Sequence, residues 1–120
     1  MITSAREALA AYENRINAHD FDLLLDMIAP DATFWFSDGS HRGIDAIRAA
    51  FEATWQAMGA AENYWLDQLE WIAEADTAAA CTYRFNWQAG DHSGSGRGTT
   101  VLARRPEGWR IVHEHLSAAP

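Results

Sequence analysis

The feature that most constrains this chain is a change of hydrophobic period at Gly59. Before it, apolar residues recur at intervals of three and four, the repeat of one helix face. After it they alternate, the repeat of strands with two distinct faces. Ser4-Ala5-Arg6-Glu7 fits a capping box, and Ala5, Leu9, Tyr12 and Ile16 follow on one helical face. Asn17-Ala18-His19-Asp20 breaks that pattern. Asp20 can cap a second, shorter helix with Leu23, Leu24, Met27 and Ile28 on its apolar side, ended by Pro30. Asp31 to Ser37, rich in aromatic and β-branched residues, reads as a strand, and Asp38-Gly39 as a turn. Gly43 precedes a third helix carrying Ile44, Ile47, Phe51, Trp55 and Met58, with Gly59 as its stop.

Beyond Gly59, Asn63 to Ala73 reads as a strand and Glu74-Ala75-Asp76 as a turn. Thr77 to Gln88 is another strand, with Cys81, Tyr83, Phe85 and Trp87 on one face and Thr82, Arg84, Asn86 and Gln88 on the other. Gly90 to Gly98 holds four glycines and reads as a long hairpin loop. It joins two strands with no helix after it, which argues against a phosphate-binding loop. Thr99 to Arg105, a turn at Pro106-Glu107-Gly108 and a last strand from Trp109 complete the chain. Helices first and antiparallel strands afterwards define an α+β fold. The expected architecture has three N-terminal helices packed in the concave face of a strongly curved, mixed but mainly antiparallel sheet, cone-shaped inside. With no repeat or linker, residues 1–120 read as one domain.

Composition removes several function classes. A net charge of −8 argues against nucleic-acid binding, which needs a basic face for phosphates. All nine basic residues are arginine, so no lysine is present for Schiff-base chemistry. Cys81 is alone and offers neither an internal disulfide nor metal-ligand spacing. No basic leader precedes an apolar run, and no stretch approaches the ~18 apolar residues of a membrane span, so a cytoplasmic protein without a membrane partner is expected.

The last strand, Trp109-Arg110-Ile111-Val112-His113-Glu114-His115-Leu116-Ser117, sets three ionisable groups side by side. Alternation puts His113 and His115 on one face and Glu114 on the other. Both faces carry apolar residues, so the pattern leaves open which one is inward. Two histidines on one face lack the third ligand that zinc wants, so no metal is expected. As acid–base groups they are better suited, because imidazole titrates near neutral pH. Glu114 beside Val112 and Leu116 would, in a pocket, have a raised pKa. Arg84 either binds an acidic ligand or pairs with Asp67 or Glu70 on a neighbouring strand. Phe34, Phe36, Phe51, Trp55 and Tyr83 are candidates to wall a cavity for a planar apolar ligand.

These motifs resemble the SnoaL-like and ketosteroid-isomerase-like branch of the nuclear transport factor 2-like superfamily. Tyr12, Asn17-Ala18-His19-Asp20-Phe21-Asp22 and Ala29-Pro30-Asp31-Ala32-Thr33 are similar to the opening of those proteins, and Gly43-Ile44-Asp45-Ala46-Ile47-Arg48 to their third-helix start. The closing strand also resembles that of the calcium/calmodulin-dependent kinase association domain. The resemblance implies that Tyr12 donates a hydrogen bond to a substrate oxyanion. It also places Phe36 where ketosteroid isomerases carry their catalytic aspartate, Phe51 where they carry a second tyrosine, and Thr99-Thr100-Val101 where they carry an assisting acid. Steroid isomerisation by that mechanism is therefore not expected. Asp38 is a substitute base by position, although its turn favours an exposed role. The resemblance further implies a homodimer, with a second subunit over the outer sheet face. Two readings follow. One is a cofactor-free isomerase or dehydratase acting on a small, largely apolar molecule, with Tyr12, His113, Glu114 and His115 as its catalytic set. The other is a non-catalytic ligand-binding or oligomerisation module.

Overall fold

A computed structural model describes residues 1–59 and 61–118. Helix α1 spans Ala5–Ile16, helix α2 spans Ile44–Met58, and six strands follow the order β1 Ile28–Phe36, β2 Gly39–Arg42, β3 Asn63–Glu74, β4 Ala78–Ala89, β5 His92–Arg105 and β6 Gly108–Ala118. They make one sheet in the order β2-β1-β6-β5-β4-β3, parallel only between β1 and β6. The fold is α+β, with both helices against one face of a curved mixed sheet.

Helix α1 begins where the capping chemistry places it. The Ser4 hydroxyl accepts the Glu7 amide at 3.1 Å, and Ala5, Ala8, Leu9, Tyr12 and Ile16 form the buried stripe. The far end of α1 serves the sheet. The Asn17 side chain accepts the Tyr64 amide at 2.7 Å and donates to the Tyr64 carbonyl at 2.8 Å, while Glu13 accepts the Leu66 amide at 2.8 Å. Two side chains one turn apart thereby satisfy backbone groups along the outer edge of β3. Helix α2 buries Ile47, Ala50, Phe51 and Trp55, and ends at Gly59, whose φ of +88° suits glycine.

The structure adds one strand the pattern did not show, β2, and corrects the sequence reading in two further places. There are two α-helices, not three. Asp20 does cap a helical turn, accepting the Asp22 amide at 3.1 Å, but only one 3-10 turn, Phe21–Leu24, follows. So short a segment gains little from helix propagation. Met27 and Ile28, read as part of a helical face, instead join the sheet. The Met27 carbonyl accepts the Ile111 amide, and Ile28 pairs with Ile111. Pro30 lies in β1 at a register irregularity, where a missing amide is tolerated.

The second correction concerns the glycine-rich run. Its turn is confined to Gly90 and Asp91, and β5 starts at His92. Gly94, Gly96 and Gly98 are strand residues facing the aromatic side of β4, paired with Trp87, Phe85 and Tyr83. A Cβ on Gly94 would overlap the Trp87 ring, on Gly96 the Phe85 ring and the Ser117 carbonyl, and on Gly98 the Tyr83 ring and Leu116. The glycines are there because neighbouring rings lie across the strand.

Gly96→Ala tests this. With backbone as well as a ring in the way, it is expected to lower unfolding stability by about 1–3 kcal/mol, as overpacking does. Ser95→Ala, on the opposite face, should stay within about 0.5 kcal/mol. Urea denaturation of the two variants reads the difference.

Candidate ligand cavity and its buried carboxylate

Strand β6 turns Glu114 inward. A bulge at Val112, between the Leu102–Ile111 and Val101–His113 pairs, brings Glu114 to the same inner face as Ile111, and Glu114 is 1% exposed. Three elements meet its carboxylate. Tyr12 of α1 donates to one oxygen at 3.3 Å, and Thr100 of β5 donates to the other at 3.3 Å. Thr100 has one hydroxyl proton, so giving it to Glu114 makes Tyr83 of β4 the donor in the 2.8 Å Tyr83–Thr100 bond. Burial pushes the Glu114 pKa up to about 7, against the opposing pull of the Thr100, Tyr12 and Tyr83 hydroxyls. Burial also pushes the Tyr12 and Tyr83 phenols well above their ordinary value, with the Glu114 charge adding to it, so both remain donors at neutral pH.

Glu114 opens on a cavity of about 580 Å³ between the helices and the sheet. Phe36, Phe51, Trp55, Tyr64, Phe85 and Trp87 supply most of its wall, a size and lining suited to a small organic molecule. Two further carboxylates reach it. Glu62, 7% exposed, has a pKa raised by desolvation, countered in part by His19, whose Nε2 lies 3.4 Å away and whose ring stacks on Trp55 at 5.2 Å. Asp38 accepts from His41 Nε2 at 2.9 Å.

The other candidates separate into three places. Phe36, Phe51 and Trp55 line the cavity, whereas Phe34 is fully buried behind them, with its ring 5.9 Å from Phe36 and 6.1 Å from Phe51. Tyr12 and Tyr83 reach the cavity only through Glu114 and Thr100. His113, His115 and Arg84 lie on the opposite face of the sheet. His113 Nδ1 donates to the Thr33 carbonyl at 2.7 Å, and both imidazoles meet the edge of Trp35. Arg84 makes no ion pair with Asp67, its register partner; it donates to Asn86 at 3.1 Å and Ser95 at 3.3 Å. Arg97 lies directly opposite it on β5, and a shallow outer cleft includes both, with His115. Among the described residues, no three His, Cys, Asp or Glu side chains converge to hold a metal ion, and no helix is long and apolar enough to cross a membrane.

Two helices against one face of a curved, mixed six-stranded sheet make the fold of nuclear transport factor 2-like proteins. The chain belongs to the SnoaL-like domain family, whose model matches residues 5–120. An NTF2-like superfamily protein from Salmonella enterica subsp. enterica serovar Typhimurium str. LT2 is 23% identical over 95% of this chain and 87% of its own, with a TM-score of 0.83. An NTF2-like protein of unknown function from Pseudomonas putida KT2440 is 20% identical over 93% and 82%, with a TM-score of 0.83. The association domain of C. elegans CaMKII is 18% identical over 94% and 91%, with a TM-score of 0.75. At these identities the likeness is one of fold alone. No curated protein matches the chain.

Thr100 and Glu62 were absent from the sequence candidates. Once Gly94 to Thr100 is read as strand, alternation carries Thr100 inward beside Cys81, its register partner. Glu62 lies just before β3, where no periodicity applies.

Glu114 also sets a pH dependence. Its pKa rises from 4.5 to about 7 on folding, so between those values the folded state holds a proton that the unfolded chain releases. Stability from this group is fully present below pH about 4.5 and is lost as pH climbs to about 7, by about 3 kcal/mol in total. Glu114→Gln should remove that slope. Urea denaturation between pH 4.5 and 8 should show the variant gaining on wild type as pH rises.

Proposed function

We propose that this protein binds a small, largely apolar organic molecule in the cavity and moves a proton on it through Glu114, as a cofactor-free isomerase or lyase. The observation that carries this reading is a fully buried carboxylate, its pKa pushed up to about 7, that faces a cavity walled mainly by aromatic rings. Near pH 7 it is present in both forms. The carboxylate can take a proton from a carbon next to a carbonyl, and the resulting acid can return it to another carbon of the same molecule. Tyr12 and Thr100 hold the group in place from behind and occupy two of its roughly four acceptor positions, leaving the others for a ligand. Tyr12 is thus a positioning residue, with its hydroxyl spent on Glu114 and not on a substrate oxyanion. Phe36, Phe51 and Trp55 exclude water and seat a planar skeleton.

The test is hydrogen–deuterium exchange at the α-carbon of cyclic ketones, followed by NMR, after tryptophan quenching has selected those that bind. Trp55 and Trp87 in the wall make quenching a direct reporter. Exchange should rise with pH through about 7, where the base form accumulates, and Glu114→Gln should lower it about 100-fold or more. Tyr12→Phe should shift the pH midpoint upward, since it removes a bond to the carboxylate. Equal exchange in wild type and Glu114→Gln would overturn the reading.

A second reading, an assembly role, is favoured by one observation. Trp35 and Trp65 are 47% and 37% exposed on the outer sheet face, either side of Arg84, Arg97 and His115. A homodimer covering this face would remove both indoles from water. Sedimentation should show a dimer that Trp35→Arg weakens at least tenfold; a wild-type monomer at all concentrations would exclude it.

A further inference from the structure

We propose that the molecule taken by this cavity is an organic cation, an ammonium group on an apolar or aromatic skeleton. The inference rests on the cavity being a ligand site and deepens that reading by naming the ligand's charge.

Charge placement is the first observation. Glu114 and Glu62 both border the cavity, at 1% and 7% exposure, and Asp38 joins them. No arginine or histidine is among the lining residues, and the chain has no lysine. Six of the nine arginines are placed elsewhere: Arg6 pairs with Glu74, Arg15 with Asp26, Arg48 with Asp22 and Arg105 with Asp31, while Arg84 and Arg97 lie on the far face of the sheet; none of the nine lines the cavity. The groups facing the carboxylates are few. Glu114 meets the neutral hydroxyls of Tyr12 and Thr100, Glu62 meets His19, and Asp38 meets His41. An anionic ligand would therefore meet three carboxylates with no arginine or lysine in the wall to receive it.

The wall is the second observation. Phe36, Phe51, Trp55, Tyr64, Phe85 and Trp87 present six aromatic rings to a cavity of about 580 Å³. Ring faces carry negative quadrupole potential and attract a desolvated cation, most strongly for tryptophan. Rings and carboxylates thus favour the same sign of charge. The third is that Glu114 has no cationic partner of its own, although it lies at the floor of the site. An ammonium placed there would supply the missing counter-charge and draw the proton off Glu114. Cation affinity should then rise with pH from about 5.5 to 8, whereas a neutral ligand gains nothing from that deprotonation.

Calorimetric titration of the full chain with 2-naphthylmethylammonium, 2-naphthylmethanol and 2-naphthoate separates the cases, because the three differ mainly in charge. At pH 8 the ammonium compound should bind at least tenfold more tightly than the alcohol, and the carboxylate should not bind. The ammonium's affinity should fall at least threefold between pH 8 and 5.5. Glu62→Gln and Glu114→Gln should each weaken the ammonium and leave the alcohol within about twofold. An alcohol bound as tightly as the ammonium, or a bound carboxylate, overturns the cation assignment and leaves the cavity reading standing. Ammonium binding indifferent to both variants overturns it too, as attraction to the acidic surface. No binding by any of the three overturns the assignment together with the cavity reading on which it rests.

Discussion

A carboxylate buried at 1% exposure without a cation beside it is the constraint around which this protein is arranged. Ionised and unpartnered, such a group would oppose folding strongly. The structure answers with hydroxyl donors and with a pKa high enough to keep the group protonated much of the time. Each donor comes from a different element: Tyr12 from α1, Thr100 from β5, and Tyr83, one bond further out, from β4. The same hydrogen bonds that make Glu114 tolerable therefore tie the first helix to the middle of the sheet. The same atoms set the group's proton affinity, since further donors would lower the pKa and leave a weaker base.

The middle of the sheet packs flat rings against glycine. On β5 three alternate positions carry no side chain, and the rings of β4 lie across them. Where β5 borders the cavity it does so with Gly94 and Ser95, beside the Trp87 and Phe85 rings of β4. Opposite them, Phe51 and Trp55 come from α2, one helical turn apart, and complete the wall.

Much of this was legible in the residues, and the failures have physical causes. The two long helices were readable because their apolar stripes run for at least three turns; the Asp20 segment was misread because its apolar residues suit a helix and a strand equally. The glycine run looked like a loop because strand propensity assumes a side chain, and here the packing partner is a neighbour's ring. The last strand was recognised with its His-Glu-His centre, but its direction could not be read. Val112 and Leu116 flank Glu114, Trp109 and Ile111 lie near the histidines, and only a register irregularity after Val101 decides the geometry. Glu62 carried no periodic signal at all. The resemblance implied a substrate oxyanion as the partner of Tyr12; in the fold its hydroxyl donates to Glu114 on β6, a contact that spacing alone does not show.

The clasp between α1 and β3 has a consequence for how copies of this chain can meet. A six-stranded open sheet has two edges, each able to recruit a strand from another molecule. At one, Asn17 and Glu13 already hold the Tyr64 and Leu66 amides; at the other, β2 is only four residues long and polar. Strand-by-strand addition, the route that runs on into fibres, is thereby hindered along the first part of β3 and at the short β2. Association through the broad outer face would differ in kind, because a face that closes on its own copy is used up in doing so.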